Sequence, residues 1–411
     1  MAERSEEILR RREVLGWKLG LERMRRLCTL LGMPQNRFAS IHVVGTNGKT
    51  SVTRMTAALL DAHGVSTGAY GSPHIRSWRE RVLIGGEQIT EEAFTEALER
   101  TEQAAEVADR SAGEEGPVTQ FELLTAAAFV AFAAARVQYA VVEAGLGGRL
   151  DATNVIPSRL TVLTSVGLDH TEWLGETLEE IAAEKVAVLR DHTALLVGSV
   201  PQEVVPVVKR EAQARHVKPF FGTFAGTGGF QSQNLDLAEA AARQVLGDTE
   251  WDPRLLLGLL RSIPGRAQIA EGDPDVVYDA AHNPDGARAL AEVLPELTDG
   301  RDVVCCLAVL EGKDAAGIVN GLAPACARFV CTEIPPEAIE GSGRPGGRSK
   351  PALELAELCR RAGVESEAVG DPLGAWSRAR DLARERDGVA LAAGSHYLLA
   401  CLWTERPDPS S

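Results

Sequence analysis

What the sequence lacks excludes several classes of protein. Its 411 residues hold 43 lysines and arginines against 58 aspartates and glutamates, a net charge of −15. Nucleic acid and anionic lipid reward a surplus of positive charge, so neither is expected as the main partner. The first twenty residues have no apolar signal core, and the apolar run 123–135 is too short to span a bilayer. We therefore expect a cytoplasmic protein.

Paired cysteine motifs are also missing. The seven cysteines include no C-x-x-C pair; Cys305 and Cys306 are adjacent, whereas Cys28 and Cys401 are isolated. This pattern indicates reduced thiols that pack as small hydrophobic side chains. We find no internal repeat and no long low-complexity tract.

Short apolar segments alternate with helical patterns along most of the chain. In the first part, strands are expected at 41–44, 139–143, 160–166 and 194–197, and helices at 51–63, 91–109, 119–135 and 178–189. This alternation predicts an α/β fold with a mainly parallel sheet that is covered on both faces.

A Pro- and Gly-rich break at 261–275 divides the chain. After it, strands are expected at 276–279, 303–309, 329–331, 366–369 and 389–393, and helices at 284–297, 315–325, 351–362 and 373–386. The segment GTNGKTS at 45–51 resembles a phosphate-binding loop, so we expect a P-loop-type ATPase domain at 1–262. The second domain, at 265–411, is expected to be smaller, doubly wound and Rossmann-like. Residues 341–349 are expected to form a loop.

The stretch 41–54, IHVVGTNGKTSVTR, resembles a phosphate-binding loop, although Val43 stands where the strict pattern has its first glycine. A strand delivers the chain, two glycines allow a tight turn, and a helix follows whose free N–H groups would face an anion. Lys49 would reach the β- and γ-phosphates, and Thr50 or Ser51 would face a magnesium ion. The alternative is a plain strand-to-helix turn.

Three further stretches place polar residues after strands. Residues 70–86 carry Ser72 and three arginines, residues 139–155 carry Glu143 before a glycine-rich loop, and residues 164–190 carry His170 and Lys185. The carboxyl ends of parallel strands gather at one edge of a sheet, where ligands bind. We expect Glu143, His170 and a serine near Lys49 to surround a hard cation. Each residue alone would more often be a solvated or capping side chain.

The second domain offers its own candidates. Asp279 and His282 follow a strand, and an acidic group there suits a ribose hydroxyl or a magnesium-bound phosphate. Alternatively, Asn283 caps a helix that begins at Pro284 and the neighbours only pack. Arg266, in a Pro-Gly-Arg sequence at the domain junction, would reach a phosphate.

These motifs, in this order, resemble those of the folylpolyglutamate synthase and dihydrofolate synthase family, which belongs with the Mur ligases. The resemblance spans roughly residues 5–400, and its most specific segments are EAGLGGRLDATN and GLDHT. It implies an ATP-dependent ligase that joins L-glutamate to dihydropteroate or to the terminal glutamate of folates. The carboxylate would be activated as an acyl phosphate, in a site between the two domains.

The resemblance also implies roles for single residues. Lys49, His170 and Lys185 would be catalytic, and Lys185 would be carbamylated. Two magnesium ions would be held by Thr50, Ser72, Glu143 and His170. The acid substrate would be bound by Arg79, Arg149 and Asp151. ATP would be bound by Gly45, Thr46, Asn47, Gly48, Lys49, Thr50, Ser51, Asn234, Arg266, Asp279 and His282.

Two departures from the family pattern keep alternatives open. Thr50 stands where the family usually has glycine, which is a Mur-like feature, and Ile263 replaces a tryptophan. Another Mur-type ligase, acting for example on a UDP-muramyl substrate, or a non-catalytic nucleotide-binding homologue would share many of these motifs. Only 44 residues precede Gly45 and they have helical patterns, which favours the folate ligase. We expect a monomer.

Overall fold

The computed structural model describes residues 2–13, 18–222, 229–261, 263–340 and 346–403. The backbone forms two compact units, the first comprising residues 1–227 and 231–252 and the second residues 228–230 and 253–411. The domain boundary predicted at 262–265 stays a prediction, and residue 262 lies outside the described residues. So does the 341–345 part of the predicted loop.

The first unit contains an eight-stranded sheet. Its order is β4-β3-β2-β5-β1-β6-β7-β8, and β3 and β4 are the antiparallel members, at one edge. The strands are β1 (Ala39–Val44), β2 (Thr67–Tyr70), β3 (Val82–Ile84), β4 (Glu87–Gln88), β5 (Tyr139–Glu143), β6 (Leu160–Ser165), β7 (Ala194–Ser199) and β8 (Pro219–Phe221).

Helices cover both faces of this sheet. They are α1 (Ala2–Glu13), α2 (Glu22–Leu30), α3 (Lys49–Asp61), α4 (Glu91–Arg110), α5 (Gln120–Ala134), α6 (Thr171–Leu174), α7 (Leu178–Val186), α8 (Val205–Ala214) and α9 (Gly229–Leu246).

The central strands β1, β5 and β6 are buried almost throughout, which explains their continuous apolar sequences. β1 pairs in parallel with β5, with Val43 opposite Glu143, and with β6 on its other side. The polar loops that follow these three strands therefore meet at one edge of the sheet.

The second unit contains a six-stranded sheet in the order β13-β12-β11-β14-β10-β9, in which only β9 pairs antiparallel among the described strands. The strands are β9 (Gln268–Ala270), β10 (Val276–Tyr278), β11 (Val303–Leu307), β12 (Arg328–Cys331), β13 (Glu365–Ala368) and β14 (Val389–Ala393). The helices are α10 (Pro253–Arg261), α11 (Pro284–Leu297), α12 (Ala315–Leu322), α13 (Pro336–Glu340), α14 (Ala352–Arg361), α15 (Pro372–Arg384) and α16 (His396–Leu402).

The predicted fold class is confirmed: both sheets are mainly parallel and both alternate with helices. All seven cysteines are free thiols and six of them are buried, as the absence of paired motifs indicated. Within the described segments, no helix combines the length and the apolar character that crossing a membrane requires.

Candidate active site

The loop between β1 and α3 has the backbone geometry of an anion-binding turn. Gly48 caps α3 in the left-handed conformation, with φ of 84°. A Cβ at this position would collide with Oδ1 of Asn234 on α9, so the loop requires glycine and the asparagine lies directly beside it. The structure thus brings together Asn234 and the phosphate-loop residues, which are distant in sequence.

Residues at the end of β6 and just after it stabilise the phosphate loop by hydrogen bonds. Ser165 Oγ accepts a hydrogen bond from the Asn47 N–H at 2.9 Å, and Thr164 Oγ1 donates to the Asn47 carbonyl at 2.6 Å. The Thr46 hydroxyl accepts from the Gly167 N–H at 3.0 Å. Thr164 and Ser165 were not predicted as site residues, because hydroxyl residues at the end of a strand have no distinguishing spacing.

A buried carboxylate lies next to the start of α3. Glu143, 1% exposed, accepts hydrogen bonds from Thr50 Oγ1 at 3.1 Å and from the Ser72 N–H at 3.2 Å. Three of the four predicted metal ligands are therefore in contact, although they come from three different elements.

The donor atoms in this cluster fit a magnesium ion. Carboxylate and hydroxyl oxygens are the hard ligands that magnesium prefers, with phosphate oxygens and water completing its shell. Ser51 Oγ, in the first turn of α3, is buried without a hydrogen-bond partner among the described residues, and a phosphate or a metal-bound water would satisfy it. Within the described part of the chain, no group of three or more His, Cys, Asp or Glu side chains has metal-binding geometry.

Two lysine amines converge on one carbonyl oxygen. Lys49 Nζ donates to the carbonyls of Gly45 and Thr46, both at 3.1 Å, and Lys185 Nζ donates to the Gly45 carbonyl at 2.9 Å. Lys185 is 3% exposed. Burial, with a further contribution from the charge of Lys49, lowers the pKa of Lys185 to about 7, while Asp169 and other nearby carboxylates oppose the shift.

His170 lies in the loop after β6, at the start of α6. Its backbone is left-handed, with φ of 50°, and its N–H donates to Asp169 Oδ1 at 3.0 Å. Asp169 Oδ2 is 3.9 Å from His170 Nε2. His170 follows β6 and Glu143 ends β5, and both strands pair in parallel with β1, so the two residues lie at the same edge of the sheet. The metal role of His170 stays a prediction.

The loop after β2 is a compact structure built on Glu80. The Glu80 carboxylate accepts hydrogen bonds from the backbone N–H groups of Ile75, Arg76 and Ser77 at 2.9–3.0 Å. Arg79, a predicted substrate residue, donates from Nε to the Ile89 carbonyl at 2.8 Å. The Arg79 Nε thus binds the backbone that follows β4.

The other two predicted substrate residues lie on the loop after β5. Arg149 is 63% exposed and pairs with Glu184 at 2.8 Å. Asp151 is 3% exposed and accepts from the Leu146 N–H at 2.8 Å and the Thr153 N–H at 3.0 Å. Burial raises the pKa of Asp151, and these hydrogen bonds oppose the shift. The structure therefore places Arg149 towards solvent and Asp151 inside the loop.

In the second unit, the predicted nucleotide residues gather after β10. Asp279 is buried and accepts from the N–H groups of Ala267 at 2.6 Å and Ala281 at 2.7 Å. Burial raises its pKa, against the opposing charge of Arg266. The His282 Nδ1 lies 2.9 Å from the Ala280 carbonyl. Asn283 caps α11 by accepting from the Gly286 N–H at 2.8 Å, which confirms the alternative that the sequence left open for this residue.

The geometry is that of a nucleotide-dependent enzyme: a phosphate loop on a parallel sheet, a buried carboxylate beside it and a desolvated lysine.

Two family profiles match the chain: the Mur ligase middle domain over residues 43–243 and the Mur ligase glutamate ligase domain over residues 265–396. The dihydrofolate synthase/folylpolyglutamate synthase of Mycobacterium tuberculosis is 35% identical, over 82% of this chain and 77% of its own.

Solved structures agree with these matches. The folylpolyglutamate synthase of Mycobacterium tuberculosis complexed with ADP superposes with a TM-score of 0.87 at 29% identity, over 99% of this chain and 100% of that one. A bifunctional folylpolyglutamate synthase/dihydrofolate synthase with Mn, AMPPNP and L-glutamate bound gives 0.79 at 27% identity, over 96% and 95%. The protein is thus an ATP-dependent acid–amino-acid ligase, and the chain belongs to the dihydrofolate synthase/folylpolyglutamate synthase family of Mur ligases.

Proposed function

We propose that this enzyme joins L-glutamate to dihydropteroate, to the terminal glutamate of folates, or to both. The observation that carries the proposal is the convergence of Lys49 and Lys185 on the Gly45 carbonyl, at 3.1 and 2.9 Å, beside the Glu143 carboxylate site. Two amines at a phosphate loop suit a transferring phosphoryl group. The family membership supplies the substrate class.

A carboxylate is a poor electrophile, so the reaction first makes it a better one. The γ-phosphoryl group of ATP passes to a carboxylate oxygen of the acid, giving ADP and an acyl phosphate. The α-amino nitrogen of L-glutamate then attacks the carbonyl carbon, loses a proton, and expels inorganic phosphate to leave the amide. The protein's contribution is positioning and charge neutralisation.

The residues in and around the phosphate loop would each have a separate role in this reaction. The N–H groups at the start of α3 bind the phosphates, and the Lys49 ammonium moves from the Gly45 and Thr46 carbonyls towards the phosphoryl oxygens. Thr50, Ser72, Glu143 and His170 would hold magnesium, which when bound neutralises negative charge on the phosphate oxygens. Asn234 lies beside Gly48, where the nucleotide would extend from its phosphates.

Lys185 is proposed to react with carbon dioxide to form a carbamate. The nitrogen lone pair forms a bond to the carbon of carbon dioxide and the amine releases a proton, which gives an anion beside Lys49. A pKa of about 7 leaves a substantial neutral fraction of the amine at neutral pH, as this addition requires. The anion would then orient the magnesium or its waters.

Chemical rescue tests the carbamate. Lys185→Ala should be nearly inactive, and acetate, which replaces the missing carboxylate, should restore part of the turnover. A fully active Lys185→Ala enzyme, or one that no short carboxylic acid restores, would contradict the proposal. The corresponding Lys209→Ala variant, which changes a lysine far from the loop in sequence, serves as a control that should stay active.

One comparison of substrates tests the function. We expect ADP release with dihydropteroate plus L-glutamate, with folate plus L-glutamate, or with both. ADP release only with a UDP-muramyl peptide plus an amino acid would establish another Mur-type ligase. Thr50, which is a Mur-like feature, favours this alternative. No ADP release with any pair would indicate a non-catalytic homologue.

The proposal also includes a cytoplasmic location and a monomeric state. The seven free thiols support a reducing compartment.

A further inference from the structure

A chain of three buried side chains links strand β1 to the loop that follows β5. His42 Nε2 lies 2.8 Å from Thr153 Oγ1, and the Thr153 hydroxyl donates to Asp151 Oδ1. His42 and Thr153 are 0% exposed and Asp151 is 3% exposed. None of the roles assigned above uses His42 or Thr153. A buried imidazole without a role in the mechanism requires an explanation.

The direction of each hydrogen bond follows from the last acceptor. The Asp151 carboxylate receives the N–H groups of Leu146 and Thr153, so it acts as an acceptor throughout. The Thr153 hydroxyl has one proton and gives it to Asp151, so its oxygen accepts from His42 Nε2–H. Burial lowers the pKa of His42 to about 3, and the ring is therefore a neutral donor.

The loop 144–151, in which Asp151 binds the Leu146 N–H, also contacts α7, the helix that carries Lys185. The Leu146 N–H binds Asp151 at 2.8 Å, and the Arg149 N–H binds the Glu184 carbonyl at 3.1 Å. Gly148 packs so tightly on this helix that a Cβ would come within 2.6 Å of the Lys185 carbonyl oxygen. The orientation of Asp151 therefore sets the path of a loop that starts at Glu143 and ends against Lys185.

We propose that His42 and Thr153 are positioning residues, which orient Asp151 and the loop 144–151 for the acid substrate of the reaction. The inference rests on the proposed function, because it concerns the acid side of that site. The hydrogen bonds from Thr164 and Ser165 that hold the phosphate loop include neither His42 nor Thr153, so we expect the relay to affect the acid substrate more than ATP.

Paired variants of Thr153 separate the relay from general packing. Thr153→Val keeps the shape and removes the hydroxyl, whereas Thr153→Ser keeps the hydroxyl. We expect Thr153→Val to raise the KM for dihydropteroate or folate about tenfold, the order expected for a lost hydrogen bond to a charged group, and to change the KM for ATP less than about twofold. Thr153→Ser should stay within about twofold of the wild type in both.

A double-variant cycle tests whether the relay acts as a unit. His42→Leu should raise the same KM, and the His42→Leu/Thr153→Val enzyme should be no worse than the Thr153→Val enzyme. Equal changes in the two KM values, no change in either, or fold-changes that multiply in the double variant would overturn the proposal.

Hydrogen exchange provides a readout that does not depend on turnover. The amides of residues 145 and 146 should exchange faster in Thr153→Val than in Thr153→Ser or the wild type, because Asp151 is no longer fixed. Unchanged exchange would overturn the relay even in an active enzyme. A wild type that turns over neither acid would instead refute the proposed function. The hydrogen-exchange rates of residues 145 and 146 would still show whether His42 and Thr153 orient Asp151. If Thr153→Val does not fold, His42→Gln, which keeps an N–H donor, is compared with His42→Leu in the same two assays.

Discussion

Replacing Lys185 with methionine should change how the stability of the enzyme depends on pH. The wild-type amine is buried and its pKa falls from 10.5 to about 7. Methionine has a similar length and does not titrate. The expected result is an enzyme that is inactive but, near neutral pH, more stable than the wild type.

The sign and size follow from proton linkage. Between pH 7 and 10.5 the folded lysine is mostly neutral and the unfolded lysine is mostly charged, so unfolding takes up one proton. Stability contributed by this site therefore rises with pH across that window, by about 1.4 kcal/mol per pH unit. Relative to Lys185→Met, the wild type should gain about 2 kcal/mol between pH 8.0 and 9.5.

Urea denaturation of both proteins at half-unit pH steps, in buffers freed of carbon dioxide, measures this difference. Other titrating groups are common to both proteins and cancel in the comparison. Parallel stability curves across the window would refute the desolvated lysine. Adding bicarbonate should stabilise the wild type alone, because a carbamate places an anion beside the Lys49 ammonium, where the unmodified Lys185 amine is mostly neutral.

Three further perturbations test other parts of the molecule. Lys49→Ala should abolish ATP-dependent ligation while the circular dichroism spectrum is retained, and near-normal turnover would disprove the phosphate loop. Asp151→Ala should impair dihydropteroate use more than ATP binding, which steady-state KM values measure; equal losses count against it. Arg23→Met removes the counter-ion of the Glu122 carboxylate, where both side chains are 4% or less exposed, and should cost about 3–5 kcal/mol of unfolding free energy in urea. Arg10→Met, which breaks an exposed pair, is the matched control and should cost less than about 1 kcal/mol.

Elements with a strong local signal were predictable from sequence. The bounds of β5 and β14 match their predicted ranges, because each is a short apolar run that is buried as a strand. The predicted start of α11 is confirmed because Asn283 and Pro284 are a capping residue and a first-turn proline. The short strands β3, β4 and β8 have two or three residues each, too few to show a period, and were not predicted.

The candidate site was predictable where it depends on strand ends and not where it depends on tertiary packing. The contact of Glu143 with Thr50 follows from two neighbouring parallel strands whose loops meet at one edge. The burial of Lys185 could not be predicted from its helix, since a lysine on an amphipathic helix usually faces solvent. It is buried because α7 packs its last turn against the glycine-rich loop, and Gly148 leaves no space between them.

Because the cysteines are unevenly distributed, the local unfolding of each unit can be measured separately. Cys28 belongs to the first unit and the other six cysteines to the second. A buried thiol meets an alkylating reagent only during transient local unfolding, so its rate of modification under native conditions gives an opening free energy. Mass spectrometry of peptides would assign each rate without any engineered label. Protection of the second-unit cysteines on adding nucleotide would then measure, in free-energy units, how much nucleotide binding stabilises the unit that contains Arg266, Asp279 and His282.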